Sequence, residues 1–143
     1  MLRKTSDEND PADWIYLAAD RLKAADLLWE HEGLTASGIE LLQEAVERYL
    51  KAFLIANGWR LVKTHDLDAL LGEAIGRDAA FKAFTTLTSS LTRDFFAQHY
   101  PGSDWTHVGE DYADFRKQAG ELVSLIERLM PQFFPHHSPG KTT

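Results

Sequence analysis

Apolar residues recur along this chain at intervals of three and four, the spacing that lines one face of an α-helix. Trp14, Leu17, Ala18, Ala25 and Leu28 form the first such stripe. Asp10 followed by Pro11 predicts its start, with the aspartate as N-cap and the proline at the first helical position, and Gly33 predicts its end. The second stripe is Leu42, Ala45, Val46, Tyr49, Phe53 and Ala56. Ser37 with Glu40 behind it is a capping-box pattern that predicts where this helix opens, and Asn57-Gly58 predicts where it stops.

A shorter stripe follows, with Leu67, Leu70, Leu71, Ala74 and Ile75 capped by Thr64 or Asp66 and ended by Gly76. Asp78 predicts the cap of a fourth helix carrying Phe81, Phe84, Leu87, Leu91 and Phe95, broken by Pro101-Gly102. Residues 101–110 are expected to loop around Trp105. The last helix is expected from Asp111 to Met130, with Tyr112, Phe115, Ala119, Leu122, Val123, Ile126 and Leu129 inward and Pro131 behind it.

No segment alternates with period two between hairpin signals. The pattern therefore predicts an all-α fold, an up-and-down antiparallel bundle of four long helices plus one short helix. Residues 1–10 are expected to be a flexible N-terminus, 11–134 the bundle and 135–143 a flexible tail.

Composition narrows the function classes. The chain has 143 residues, 44% of them hydrophobic, enough for one domain with its own core. It has no cysteine, which excludes a disulfide scaffold, a thiolate zinc site and a cysteine nucleophile. A net charge of −7 argues against a long duplex DNA track, which needs Lys and Arg to neutralise phosphates. It leaves room for a nucleotide or an RNA end. The apolar stretches are far shorter than the roughly 20 residues that span a bilayer. No leader pattern is visible, so the expected location is cytoplasmic, away from membranes. No cofactor or metal is expected. His136-His137 lies in a Pro/Gly-rich tail without further ligands, and no Walker loop or His-Glu-x-x-His is present.

Two polar groups interrupt the apolar pattern. Gln43, Glu47 and Lys51 share one helix face at i, i+4 and i+8. They read either as a groove wall for a nucleotide or partner, or as a helix-surface ion pair of about 0.2–0.5 kcal/mol. Lys63 and His65 stand with Asp66 at the mouth of the third helix. They read either as a phosphate site built on free N–H groups or as a cap with a packed imidazole.

These polar positions carry a resemblance. The stretch Gln43-Glu-Ala-Val-Glu-Arg-Tyr-Leu-Lys-Ala-Phe-Leu54 resembles the second-helix signature of the HEPN family, with Glu44 where that signature has a second glutamine. Lys63-Thr-His-Asp-Leu67 is similar to the family's next block, and Phe95-Phe with Tyr100-Pro-Gly102 to its fourth-helix stop. The resemblance covers about residues 11–130. It implies a helical bundle, usually a homodimer, that works on RNA or nucleotides. It further implies one of two roles. One is a metal-independent endoribonuclease of a toxin–antitoxin or defence system. The other is a non-catalytic dimer that binds a nucleotide or docks a small nucleotidyltransferase partner.

The family's RNases share an Arg, four to six residues, then a His. Arg93-Asp-Phe-Phe-Ala-Gln-His99 fits, so Arg93 and His99 are the candidate catalytic pair. A histidine can move the proton of a 2′-hydroxyl, and an arginine can meet the charge growing on the phosphoryl oxygens. Arg60 and His65 also fit the spacing, and the family's helix order favours Arg93 and His99. His99-Tyr-Pro101 stands where many small members have Arg-Tyr-Pro, so a structural or phosphate-binding role for His99 is the alternative. Six residues turn an α-helix by about 600°, which points the two side chains about 120° apart unless the helix unwinds near His99. The four phenylalanines 81, 84, 95 and 96 exceed what one stripe needs, so some are expected to face a second subunit.

Overall fold

The structure is a computed structural model that describes residues 6–99 and 106–134, with side chains described outside 94–110. Among the described residues it is all-helical, with five α-helices, two short 3-10 segments and no strand.

Helix α1 (Pro11–Glu32) begins where the sequence predicts, with Asp10 Oδ1 accepting from Ala12 N–H at 2.9 Å. It ends at Gly33, whose φ of 72° suits the missing side chain. Residues 7 and 8 bond to this helix. Asp7 N–H donates to Asp13 Oδ2 at 2.7 Å, and the Trp14 indole N–H donates to the Glu8 carbonyl at 2.8 Å.

Helix α2 (Ala36–Ala56) opens two residues earlier than the capping-box pattern implies. Its N-cap is Thr35, which accepts from Gly38 N–H at 2.9 Å. A Cβ on Gly38 would itself stand 2.9 Å from Thr35 Oγ1, so the glycine lets that cap close. Ser37 lies inside the first turn, and its hydroxyl loses the competition to the residue whose backbone is already extended.

Helix α2 is the middle of the protein. It packs along α1 and touches α3 (Leu67–Arg77), α4 (Thr85–His99) and α5 (Thr106–Leu129). Its pairing with α1 is antiparallel, because Lys51 meets Trp14, Glu44 meets Arg21, and Gly38 meets Leu28. Leu42, Leu50 and Leu54 of α2 are fully buried with Leu87, Leu91, Leu122 and Ile126 from α4 and α5. The rings of Phe53 and Phe81 lie 4.5 Å apart at the centre.

Three further boundaries differ from the sequence pattern. Asp78 caps a 3-10 segment (Ala79–Phe84) rather than α4 itself, which starts at Thr85. Gly76 lies inside α3, whose last residue is Arg77. Helix α5 starts at Thr106, within the expected loop, while residues 101–105 lie outside the described residues. Phe81 and Phe84 are buried within the chain at 0% and 6% exposure, so neither faces a second subunit. The side chains of Phe95 and Phe96 lie outside the described residues.

Long side chains join α1 to α5. Trp29 stacks on Tyr112 with ring centres 4.5 Å apart, and Arg116 pairs with Asp26 at 2.6 Å. Burial pushes the Tyr49 and Tyr112 phenols up to about 12, so both stay neutral there. The hydrogen bond that Arg116 donates to Asp26 raises the guanidinium further above its ordinary value. Among the described residues, no helix is long and apolar enough to cross a membrane.

Candidate functional site

The polar face of α2 does not look outward. Gln43, Glu47 and Lys51 are exposed by only 6%, 5% and 3%, so the helix-surface reading of these residues does not hold. A charge buried this deeply is costly unless it is paired. Glu47 supplies the pairing twice. Its Oε2 accepts from Lys51 Nζ at 2.9 Å, and its Oε1 stands 2.9 Å from His65 Nδ1. The Lys51 ammonium also lies 5.4 Å from the centre of the Trp14 ring, within cation–π range.

His65 reaches Glu47 because of how the chain enters α3. Thr64 Oγ1 accepts from Asp66 N–H at 3.1 Å, and Asp66 Oδ1 accepts from Ala69 N–H at 3.1 Å. Asp66 is therefore the N-cap, and these two bonds hold the residue between them facing α2. The imidazole stays 80% exposed, with Nδ1 on the buried carboxylate and its rim in solvent. The two sequence blocks Gln43–Leu54 and Lys63–Leu67 thus meet at one contact.

Helix α4 closes the third side. The Gln43 amide donates a short hydrogen bond from Nε2 to the Leu91 carbonyl, tying α2 to α4. Asp68 of α3 accepts at Oδ1 from Thr88 at 2.8 Å and Ser89 at 3.1 Å. Between these elements lies an open cavity of about 710 Å³, within the usual range for a small-molecule or nucleotide site. Its acidic lining is Glu40, Glu44, Glu47, Asp66 and Asp68. Gln43, Arg48 and His65 add the other polar groups, and Leu67, Leu91 and Thr92 complete the wall.

The sequence-predicted residues divide accordingly. Gln43, Glu47 and His65 line this cavity, and Lys51 supports Glu47 from behind. Lys63 is exposed and outside the lining. Arg93 is exposed and follows the lining residues Leu91 and Thr92 along α4. His99 is the last residue of α4, and its side chain lies outside the described residues. The backbone stays helical from Arg93 to His99.

Sequence reading missed Glu40, Glu44, Arg48, Asp68, Leu91 and Thr92. Glu44 and Arg48 carry an i, i+4 charge signal, and Arg48 Nη1 does bond the Glu44 carbonyl at 3.2 Å. Glu44 also accepts from Arg21 at 2.8 Å. Nothing in the local pattern marks Asp68 or Thr92. Among the described residues, no three His, Asp or Glu side chains converge to hold a metal ion.

A deeply paired polar face on the central helix, met by a helix mouth and walled by α4, marks a helical domain with one polar candidate site among the described residues. The comparison with protein families agrees. The HEPN domain matches residues 11–130, and the chain belongs to that family. Membership points to a role connected with RNA or nucleotides. Neither the curated proteins nor the solved structures offer a significant match.

Proposed function

We propose that this protein binds RNA or a nucleotide in the cavity between α2, the mouth of α3 and α4. The observation that carries this reading is the His65–Glu47–Lys51 contact, which joins the two HEPN-like blocks at a cavity of nucleotide size. A buried ion pair is weak evidence for stability alone, so its placement on a cavity wall favours a role in the site. Fluorescence anisotropy with a labelled single-stranded RNA tests the reading. The RNA is expected to bind, and random duplex DNA to bind poorly at physiological salt. His65→Ala is expected to weaken RNA binding several-fold without unfolding the chain, since the imidazole is 80% exposed. Equal binding by wild type and His65→Ala, or tighter binding of duplex DNA, counts against it.

A second reading makes the protein a metal-independent endoribonuclease of a toxin–antitoxin or defence system, with Arg93 and His99 as the catalytic pair. It is favoured by one observation: Arg93 lies directly beyond the cavity wall on α4, so RNA held there runs towards that end of the helix. Because α4 stays helical to His99, the reading uses a homodimer in which copies of both residues share one cleft. The non-catalytic alternative is a dimer that docks a small nucleotidyltransferase, and a neighbouring reading frame for such an enzyme favours a paired system of either kind. A dimer of twice 16.2 kDa is expected by light scattering at micromolar concentration, and a monomer mass rules out the shared cleft.

A further inference from the structure

We infer that the cavity receives an unstacked guanine base, and that phosphate lies outside it. This rests on the reading of the cavity as an RNA or nucleotide site, and it concerns which part of the ligand enters.

The first reason is charge. Five carboxylates line the cavity against one guanidinium and one imidazole, and both of those already face a carboxylate. Lys51 is committed to Glu47. A phosphate placed here meets like charge on most sides, whereas a neutral group with several N–H donors does not.

The second reason is the hydrogen-bonding capacity left over. Glu40 meets no donor among the described residues. Asp66 and Asp68 take their bonds on Oδ1, leaving each Oδ2 open. On the opposite account, Arg48 spends Nη1 on Glu44, while its Nε is buried without a partner. Arg48 Nη2 makes no bond among the described residues, so it is the donor that this wall still offers to a ligand. Such a ligand offers acceptors to an arginine and paired donors to a carboxylate.

Among the bases, guanine has both. Its O6 and N7 accept from an arginine edge, and its N1–H and N2 amino group present two parallel donors that suit a carboxylate. Uracil offers one N–H between two carbonyl acceptors. Adenine and cytosine offer an amino group beside a ring nitrogen acceptor, which a carboxylate repels. Leu67 and Leu91 supply apolar surface for the ring, and the volume leaves room for the ribose with its phosphates towards solvent.

Ligand-observed NMR titration of the full chain with guanosine, inosine, adenosine and uridine tests this, with inorganic phosphate as a separate arm. Inosine keeps O6, N7 and N1–H and loses the amino group. Guanosine is expected to bind about tenfold to a hundredfold more tightly than inosine, the discrimination one good bidentate contact supplies. Glu40→Gln combined with Asp68→Asn, both at exposed positions, is expected to erase that preference while the helical circular dichroism stays unchanged. If the four nucleosides bind alike, the guanine inference falls and the nucleotide site stands. Displacement of guanosine by millimolar inorganic phosphate also overturns it. If no nucleoside binds and single-stranded RNA does not either, both readings fall together.

Discussion

Purified protein is expected to cleave single-stranded RNA in excess EDTA and to leave a 2′,3′-cyclic phosphate end. The chemistry follows from the groups the second reading assigns. An adjacent 2′-hydroxyl is the nucleophile, His99 takes its proton or protonates the leaving 5′-oxygen, and Arg93 meets the charge on the phosphoryl oxygens. Removing a general acid–base typically costs about 10²–10⁴-fold, so His99→Ala should lose most of the rate. Arg93→Ala should lose a comparable amount through the transition-state charge it no longer meets. Arg93 is exposed, so its truncation leaves the core intact, and unchanged thermal unfolding separates lost chemistry from lost structure. Gel analysis of product ends with wild type and both variants decides it. Cleavage by His99→Ala at the wild-type rate, or no cleavage of any RNA offered, ends the catalytic reading and leaves the binding reading in its place.

The second large effect concerns stability. Glu47→Ala is expected to destabilise the fold by about 3–5 kcal/mol, because it strands the Lys51 ammonium in a site only 3% exposed. The Trp14 face offsets part of that cost, and nothing else described replaces the carboxylate. Urea unfolding reads the change as a lower midpoint with an unchanged slope. The double substitution Glu47→Leu with Lys51→Met removes both charges at similar volume and should recover most of the loss. It should not recover ligand binding, since it also deletes the partner of His65. That combination of restored midpoint and lost binding separates an ion pair kept for the site from one kept for the fold. A loss under about 1 kcal/mol in Glu47→Ala means that water reaches the pair and the burial argument is wrong.

The helices could be read from the chain because amphipathic periodicity is a local property, and each stripe here is long enough to average out exceptions. Pro11 and Asp10 marked α1 correctly for the same reason. The errors came where two local signals compete. Ser37 with Glu40 looks like a better start than Thr35, but the extended backbone at Thr35 decides. Phe81 and Phe84 match an α-helical stripe and a 3-10 turn equally well, since three residues apart is one face in both. Residues 106–110 read as part of a loop, yet α5 starts at Thr106.

The candidate site was half visible. Gln43, Glu47 and Lys51 stood out as polar residues on one face, and His65 as part of a second block. Their burial was not visible, because it depends on α3 and α4 covering that face. The cavity's other carboxylates come from α2 and from α3 with its cap, which meet only in the fold. The Gln43 bond to the Leu91 carbonyl has no side-chain signature at the receiving end at all.

The 3-10 segment between α3 and α4 has a consequence for everything beyond it. A 3-10 turn advances about 120° per residue and an α-helix about 100°. Over the six residues Ala79–Phe84 the difference accumulates to about 120°, a third of a turn. The segment thus acts as a phase setting for α4. Were it wound as α-helix, Leu91 and Thr92 would rotate away from α2, and Arg93 would swing with them. The bearing of the candidate catalytic arginine is therefore fixed fifteen residues upstream, by the Asp78 cap that starts the tighter winding.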